Sequence, residues 1–125
     1  MSSSPAIIPL YTSTGDVGGY LQYPYIFSRT GEWIGWVTPE KWIFSVYGDY
    51  VGWLDRYYRI LRKRSNDDPQ SKRIVPPKPV RFIPPASVPL APLMAELNFH
   101  TIDVLDEMPE LLPTDDVFAY YDDPG

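Results

Sequence analysis

A glycine cadence constrains this chain more than any other feature. Leu10-Tyr11-Thr12-Ser13-Thr14-Gly15-Asp16-Val17-Gly18-Gly19-Tyr20-Leu21 is echoed by Ile26-Phe27-Ser28-Arg29-Thr30-Gly31-Glu32-Trp33-Ile34-Gly35-Trp36-Val37, and again by Ile43-Phe44-Ser45-Val46-Tyr47-Gly48-Asp49-Tyr50-Val51-Gly52-Trp53-Leu54. The leading glycines are 16 and then 17 residues apart. Each is followed by an acid, by a second glycine four positions on, and by an aromatic and an aliphatic residue. A fixed period of this kind marks repeated supersecondary units. Short β-prone runs precede Gly15, Gly31 and Gly48, which stand where a hairpin reverses and a positive φ is wanted. Gly19, Gly35 and Gly52 fall inside the returning strand, where glycine signals a bend, a bulge or a large ring lying on bare backbone. Tyr20, Trp36 and Trp53 are the candidate rings.

A fourth unit is degenerate. Ile60-Leu61 continues the spacing, but Ser65 stands in place of the turn glycine and Asn66-Asp67-Asp68-Pro69 lengthens the turn. Ile74-Val75 or Val80–Ile83 is the expected returning strand. About four hairpins follow, and short strands must close or be covered to hide their edges. The expected fold is therefore all-β: a small closed ring or shallow barrel over residues 9–75.

The Gly-acid-x-x-Gly-aromatic-aliphatic segments at 15–21, 31–37 and 48–54 resemble the four-fold beta flower domain, a bacterial family of shallow, square structures built from glycine-containing hairpins. The resemblance covers about residues 9–64. It implies the fold and brings no catalytic residues with it.

The rest of the chain differs in kind. Seven prolines crowd residues 76–92, so neither a helix nor a central strand fits there, and an extended, semi-rigid arm is expected. Residues 1–81 carry all 11 basic side chains against seven acids, whereas residues 82–125 carry nine acids and no Lys or Arg. The net charge of −5 thus hides a basic part and an acidic tail, 93–125, expected to be partly disordered. Leu90, Leu93, Met94 and Leu97 have the spacing of one short helix. Acids and apolar residues alternate onward to Asp122-Asp123.

These features restrict the chemistry. The absence of cysteine excludes disulfides, thiolate metal sites and a thiol nucleophile, and His100 is the only imidazole. No phosphate-cradling loop or nucleophile elbow occurs, so the chain reads as a non-enzyme without cofactor or metal. Asp16, Glu32 and Asp49 recur at hairpin shoulders, a position that suits an acid in water better than a ligand to a shared cation. Arg59, Arg62 and Arg64 lead a basic cluster with Arg56, Lys63, Lys72 and Arg73 that suits an acidic partner, an anionic lipid or the chain's own tail. The acidic balance of the whole argues against nucleic acid. Fourteen of 19 aromatics lie between Tyr11 and Tyr58, more than a small interior hides, so Tyr20, Trp33, Trp36 and Trp53 are candidate binding residues.

The function expected on these grounds is a non-catalytic protein-binding adaptor or linker. Its β module docks one surface while residues 76–125 bind a protein partner, with Leu93 and Leu97 as anchors. The layout resembles linker proteins of large assemblies, such as those of cyanobacterial light-harvesting antennae. The alternative is a small-ligand, lipid or membrane-surface module that uses the aromatic face. The N-terminus, Met1-Ser2-Ser3-Ser4-Pro5, has no charged leader or apolar stretch. A cytoplasmic protein, peripheral to a membrane or large complex, is expected.

Overall fold

The computed structural model describes residues 5–65 and 69–115. Seven strands fill the N-terminal half as a continuous antiparallel meander: β1 (Ile8–Tyr11), β2 (Val17–Gln22), β3 (Tyr25–Ser28), β4 (Trp33–Val37), β5 (Trp42–Ser45), β6 (Tyr50–Leu54) and β7 (Ile60–Lys63). An eighth strand, β8 (Thr101–Asp103), pairs with β7 through Leu61↔Asp103 and Lys63↔Thr101. Pairing as β1–β2, β3–β4, β5–β6 and β7–β8 gives four hairpins, hereafter hairpins 1 to 4. The fold is all-β, as the repeat requires. The last returning strand is not Ile74-Val75 or Val80–Ile83, both of which lie outside the ladder. It arrives only after the whole proline-rich excursion. Residues 66–68 of the lengthened turn lie outside the described residues, as do 116–125 of the acidic tail.

Hairpins 1 to 3 reverse through one recurrent turn. The N–H of residues 12, 28 and 45 donates to the carbonyl four positions on, and Gly15, Gly31 and Gly48 each donate to the carbonyl three positions back. These three glycines have φ near +90°. The same turn reverses the chain at the opposite rim, over Thr38–Trp42 and Asp55–Arg59, with Lys41 (φ 73°) and Tyr58 (φ 61°) in the glycine position. A short polar side chain anchors four of these five copies. Ser28, Thr38, Ser45 and Asp55 accept backbone N–H groups two or four residues on, at 2.9–3.3 Å.

The strand glycines have a different cause. Each of hairpins 1 to 3 carries a register shift that leaves one residue extra immediately before Gly19, Gly35 or Gly52. This bulge presses the glycine onto the next strand. A Cβ on Gly19 or Gly35 would lie 2.5 or 2.6 Å from the carbonyl oxygen of Phe27 or Phe44, and on Gly52 it would overlap that of Leu61. The bulge expectation holds, and the close neighbour is a carbonyl rather than an aromatic ring.

Strand alternation sorts the side chains. Leu10, Leu21, Ile26, Ile34, Val37, Ile43, Val51, Leu54 and Ile60 form an aliphatic core on one face. Tyr20, Phe27, Trp33, Trp36 and Phe44 gather on the other. The sheet curls around the aliphatic side, which is closed by Val104 and Leu112 from the segment after β8. That segment comprises the one-turn helix α1 (Val104–Glu107) and a 3₁₀ turn at Pro109–Leu111. Leu90–Leu97 forms no helix: Pro89 and Pro92 sit within a stretch that has neither helix nor strand. Among the described residues no ladder joins β8 to β1. Instead Ser13 N–H donates to Asp103 Oδ2 (2.6 Å) across the gap.

Gly15 and Gly52 separate two costs. A Cβ on Gly15 meets nothing within 4 Å, so Gly15→Ala has only the left-handed backbone to oppose it and should cost about 1–2 kcal/mol. Gly52→Ala must push β6 off β7 and should cost more than about 3 kcal/mol. Urea melts of the two variants check the order, which reverses if the carbonyl approach is unimportant.

Candidate functional site

The aromatic face is the first surface to weigh, and the chain covers most of it itself. Arg73 N–H donates to Gly48 O (3.0 Å) at the tip of hairpin 3, and its guanidinium lies over the Phe44 ring. Tyr25 Oη then donates to Pro77 O (2.6 Å). Phe82 is buried against hairpin 2, stacked on Phe27 with centroids 4.5 Å apart, and also meets Tyr20. Tyr11 Oη donates to Pro89 O (2.6 Å) on hairpin 1. The arm thus passes hairpins 3, 2 and 1 in turn before reaching hairpin 4. Val75, Phe82 and Val88 face inward. Burying Phe82 alone contributes about 2–3 kcal/mol, and each tyrosine bond about 1 kcal/mol. Tyr20, Trp33 and Trp36 therefore lie buried between sheet and arm. The indole N–H groups of Trp33 and Trp36 donate to Gly35 O (2.7 Å) and Ser45 O (3.1 Å).

Trp53 has a different setting. It is half-buried and, with Trp42 and Tyr50, lines an open cavity of about 480 Å³ on hairpin 3. Trp42 and Tyr50 meet edge to face at 5.9 Å.

The arginines divide likewise. Arg59 is 3% exposed: Nε pairs with Asp55 Oδ2 (2.9 Å), and Nη1 donates to Ser13 Oγ and Ala95 O, both at 3.0 Å. It ties the start of β7, the tip of hairpin 1 and the end of the arm together. Arg62 donates to Val51 O (2.9 Å) on β6. Arg64 donates to Phe99 O (2.7 Å), lies over the Phe99 ring and stands 3.9 Å from Glu107. Each of the three thus has partners within its own chain. Elsewhere Lys72 pairs with Asp49 at 3.5 Å and Lys78 with Asp115 at 2.8 Å, the latter joining arm and acidic segment. Such exposed pairs contribute little. Sequence alone cannot distinguish a buried arginine from a solvated one. The Asp55–Arg59 spacing within a turn is the sign that could have singled Arg59 out.

Arg59 also borders a polar cavity of about 510 Å³ with Ser13, Asn98, Asp103 and Asp106. Leu97 lines its wall half-buried, whereas Leu93 is 98% exposed on the arm. Asp103 is buried, and its Oδ1 has no hydrogen-bond partner among the described residues. Burial, and secondarily the Asp106 carboxylate, raises its pKa against the lowering effect of the Ser13 hydrogen bonds. Among the described residues no group of three His, Cys, Asp or Glu side chains is placed to hold a metal. No helix there is long and apolar enough to cross a membrane.

Two outcomes follow. Arg59→Met leaves Asp55 and Ala95 without a charged donor and should cost about 3–5 kcal/mol in a denaturant titration, against less than about 1 kcal/mol for Arg56→Met. Because the folded state prefers Asp103 protonated, its contribution is complete below the ordinary aspartate range and is lost as pH rises through the raised value. Asp103→Asn should flatten that fall above the ordinary aspartate range. A stability–pH profile parallel to that of the parent would contradict it.

A family model described as 4-fold beta flower protein matches residues 8–101. No curated protein and no solved structure matches the chain. The matched span runs from the first strand, through every glycine unit and the arm, to the start of the eighth strand, and the chain belongs to the 4-fold beta flower family.

Proposed function

We propose that the protein is a non-catalytic protein-binding adaptor or linker whose partner docks on the outer side of the proline-rich arm. One observation carries the reading. While Val75, Phe82 and Val88 point to the sheet, Ile74, Val80, Ile83, Leu90 and Leu93 are 82–98% exposed. Single exposed aliphatics are ordinary, but five along one segment fixed to a rigid sheet make an apolar strip. Each buried methylene contributes about 0.8 kcal/mol on contact, and an arm already held extended has little conformational entropy left to lose. Leu93, chosen from sequence as an anchor, belongs to this strip. The buried Arg59, Tyr20, Trp33 and Trp36 act instead by keeping the arm in place.

The test uses the full chain, since ending it at Val75 would remove β8, Phe82, Val104 and Leu112 along with the arm. Photo-crosslinkers at Leu90 and Leu93 should yield one discrete adduct in cells, with none from a crosslinker at Arg29 on the tip of hairpin 2. Combining Ile83→Asp, Leu90→Asp and Leu93→Asp should abolish the adduct of a crosslinker at Val80 and move Tm by no more than about 4 °C. Equal adducts from the strip and from Arg29 would overturn the proposal.

A further inference from the structure

Hairpins 2 and 3 are copies 17 residues apart, and the arm treats them differently. Tyr25, Trp33 and Trp36 of hairpin 2 correspond to Trp42, Tyr50 and Trp53 of hairpin 3. The geometry repeats as well as the sequence. Tyr25 pairs with Trp36 in the ladder and meets Trp33 edge to face at 6.0 Å. Trp42 pairs with Trp53 and meets Tyr50 edge to face at 5.9 Å. The arm meets the first triad: Pro77 O accepts the Tyr25 hydroxyl, and Lys78, Pro79 and Val80 line a small cavity together with Trp33. Over the second lies an open cavity of about 480 Å³, walled by the three rings and edged by Glu40, Lys41 and Lys63.

We infer that the hairpin 3 cavity binds a proline-rich segment of a partner chain, as the sister position on hairpin 2 holds the protein's own arm. Three observations converge on that occupant. The cavity continues the aromatic surface on which the arm already lies, because Trp42 and Tyr50 pack against the cluster that contains Phe82. Trp42 occupies the place of Tyr25, the residue that donates to the arm's carbonyl, and its indole N–H has no acceptor among the described residues. The indole of Trp53 is in the same state, unlike those of Trp33 and Trp36. Flat aromatic walls with outward N–H donors suit a polyproline helix, whose backbone has free carbonyls and whose rings lie flat on an aromatic surface. This site is separate from the outer strip of the arm, and either can fail without the other.

The experiment follows the four indole N–H resonances of the intact protein during titration with a short polyproline peptide. The signals of Trp42 and Trp53 should shift and saturate, those of Trp33 and Trp36 should stay in place, and a Gly-Ser peptide of equal length should move none. Trp53→Ala should weaken binding at least about tenfold. Trp42→Phe keeps the ring and the fold but deletes the donor, and should weaken it several-fold. Unmoved Trp42 and Trp53 signals, equal shifts with the Gly-Ser peptide, or shifts produced only by phosphatidylcholine vesicles would each overturn the inference.

Discussion

A sheet that is aliphatic on one face and aromatic on the other cannot leave either face in water. The aliphatic face is buried by curling and by Val104 and Leu112. Among the described residues the aromatic face has no second sheet and no helix to cover it, and the arm takes that place. Phe82 lies against Tyr20 and Phe27 within the aromatic cluster that also buries Trp33 and Trp36, so the β unit is incomplete without the residues that follow it.

Proline density fits this task physically. A covering segment that crosses a sheet face cannot join its ladders, so every N–H it brings near the apolar surface would need a partner. Proline has none to satisfy, and its fixed φ narrows the conformations open to the segment. The remaining backbone groups are handled singly. The carbonyls of Pro77, Pro89 and Ala95 accept from Tyr25, Tyr11 and Arg59, and Arg73 donates to Gly48. Inward positions then carry Val75, Phe82 and Val88.

Much of this was legible in the glycine columns, because a turn with positive φ and a bulge pressed on a carbonyl both exclude other residues. Those columns located hairpins 1 to 3 and the start of β7. The polar residue three positions before each turn glycine was equally informative, and it also marks the turns at Thr38 and Asp55, where Lys41 and Tyr58 conceal the pattern. The eighth strand was not legible. Three residues, Thr101–Asp103, carry too little alternation, and their place is set by pairing with β7 rather than by local preference. Arg59, Arg62 and Arg64 read as one basic cluster, yet of the three Arg59 alone is buried, because charge in a sequence says nothing of burial. The aromatic excess was visible, whereas the means of covering it depended on a long-range contact.

The split fourth hairpin gives the molecule a topological property. Both ends of residues 64–100 are fastened by the same pair of strands, so this length of chain is a buckled belt rather than a loose strap. It has no free end from which to peel while β7 and β8 stay paired. A pull on either strand of that pair therefore falls on the seam where Arg59, Ser13 and Asp103 meet.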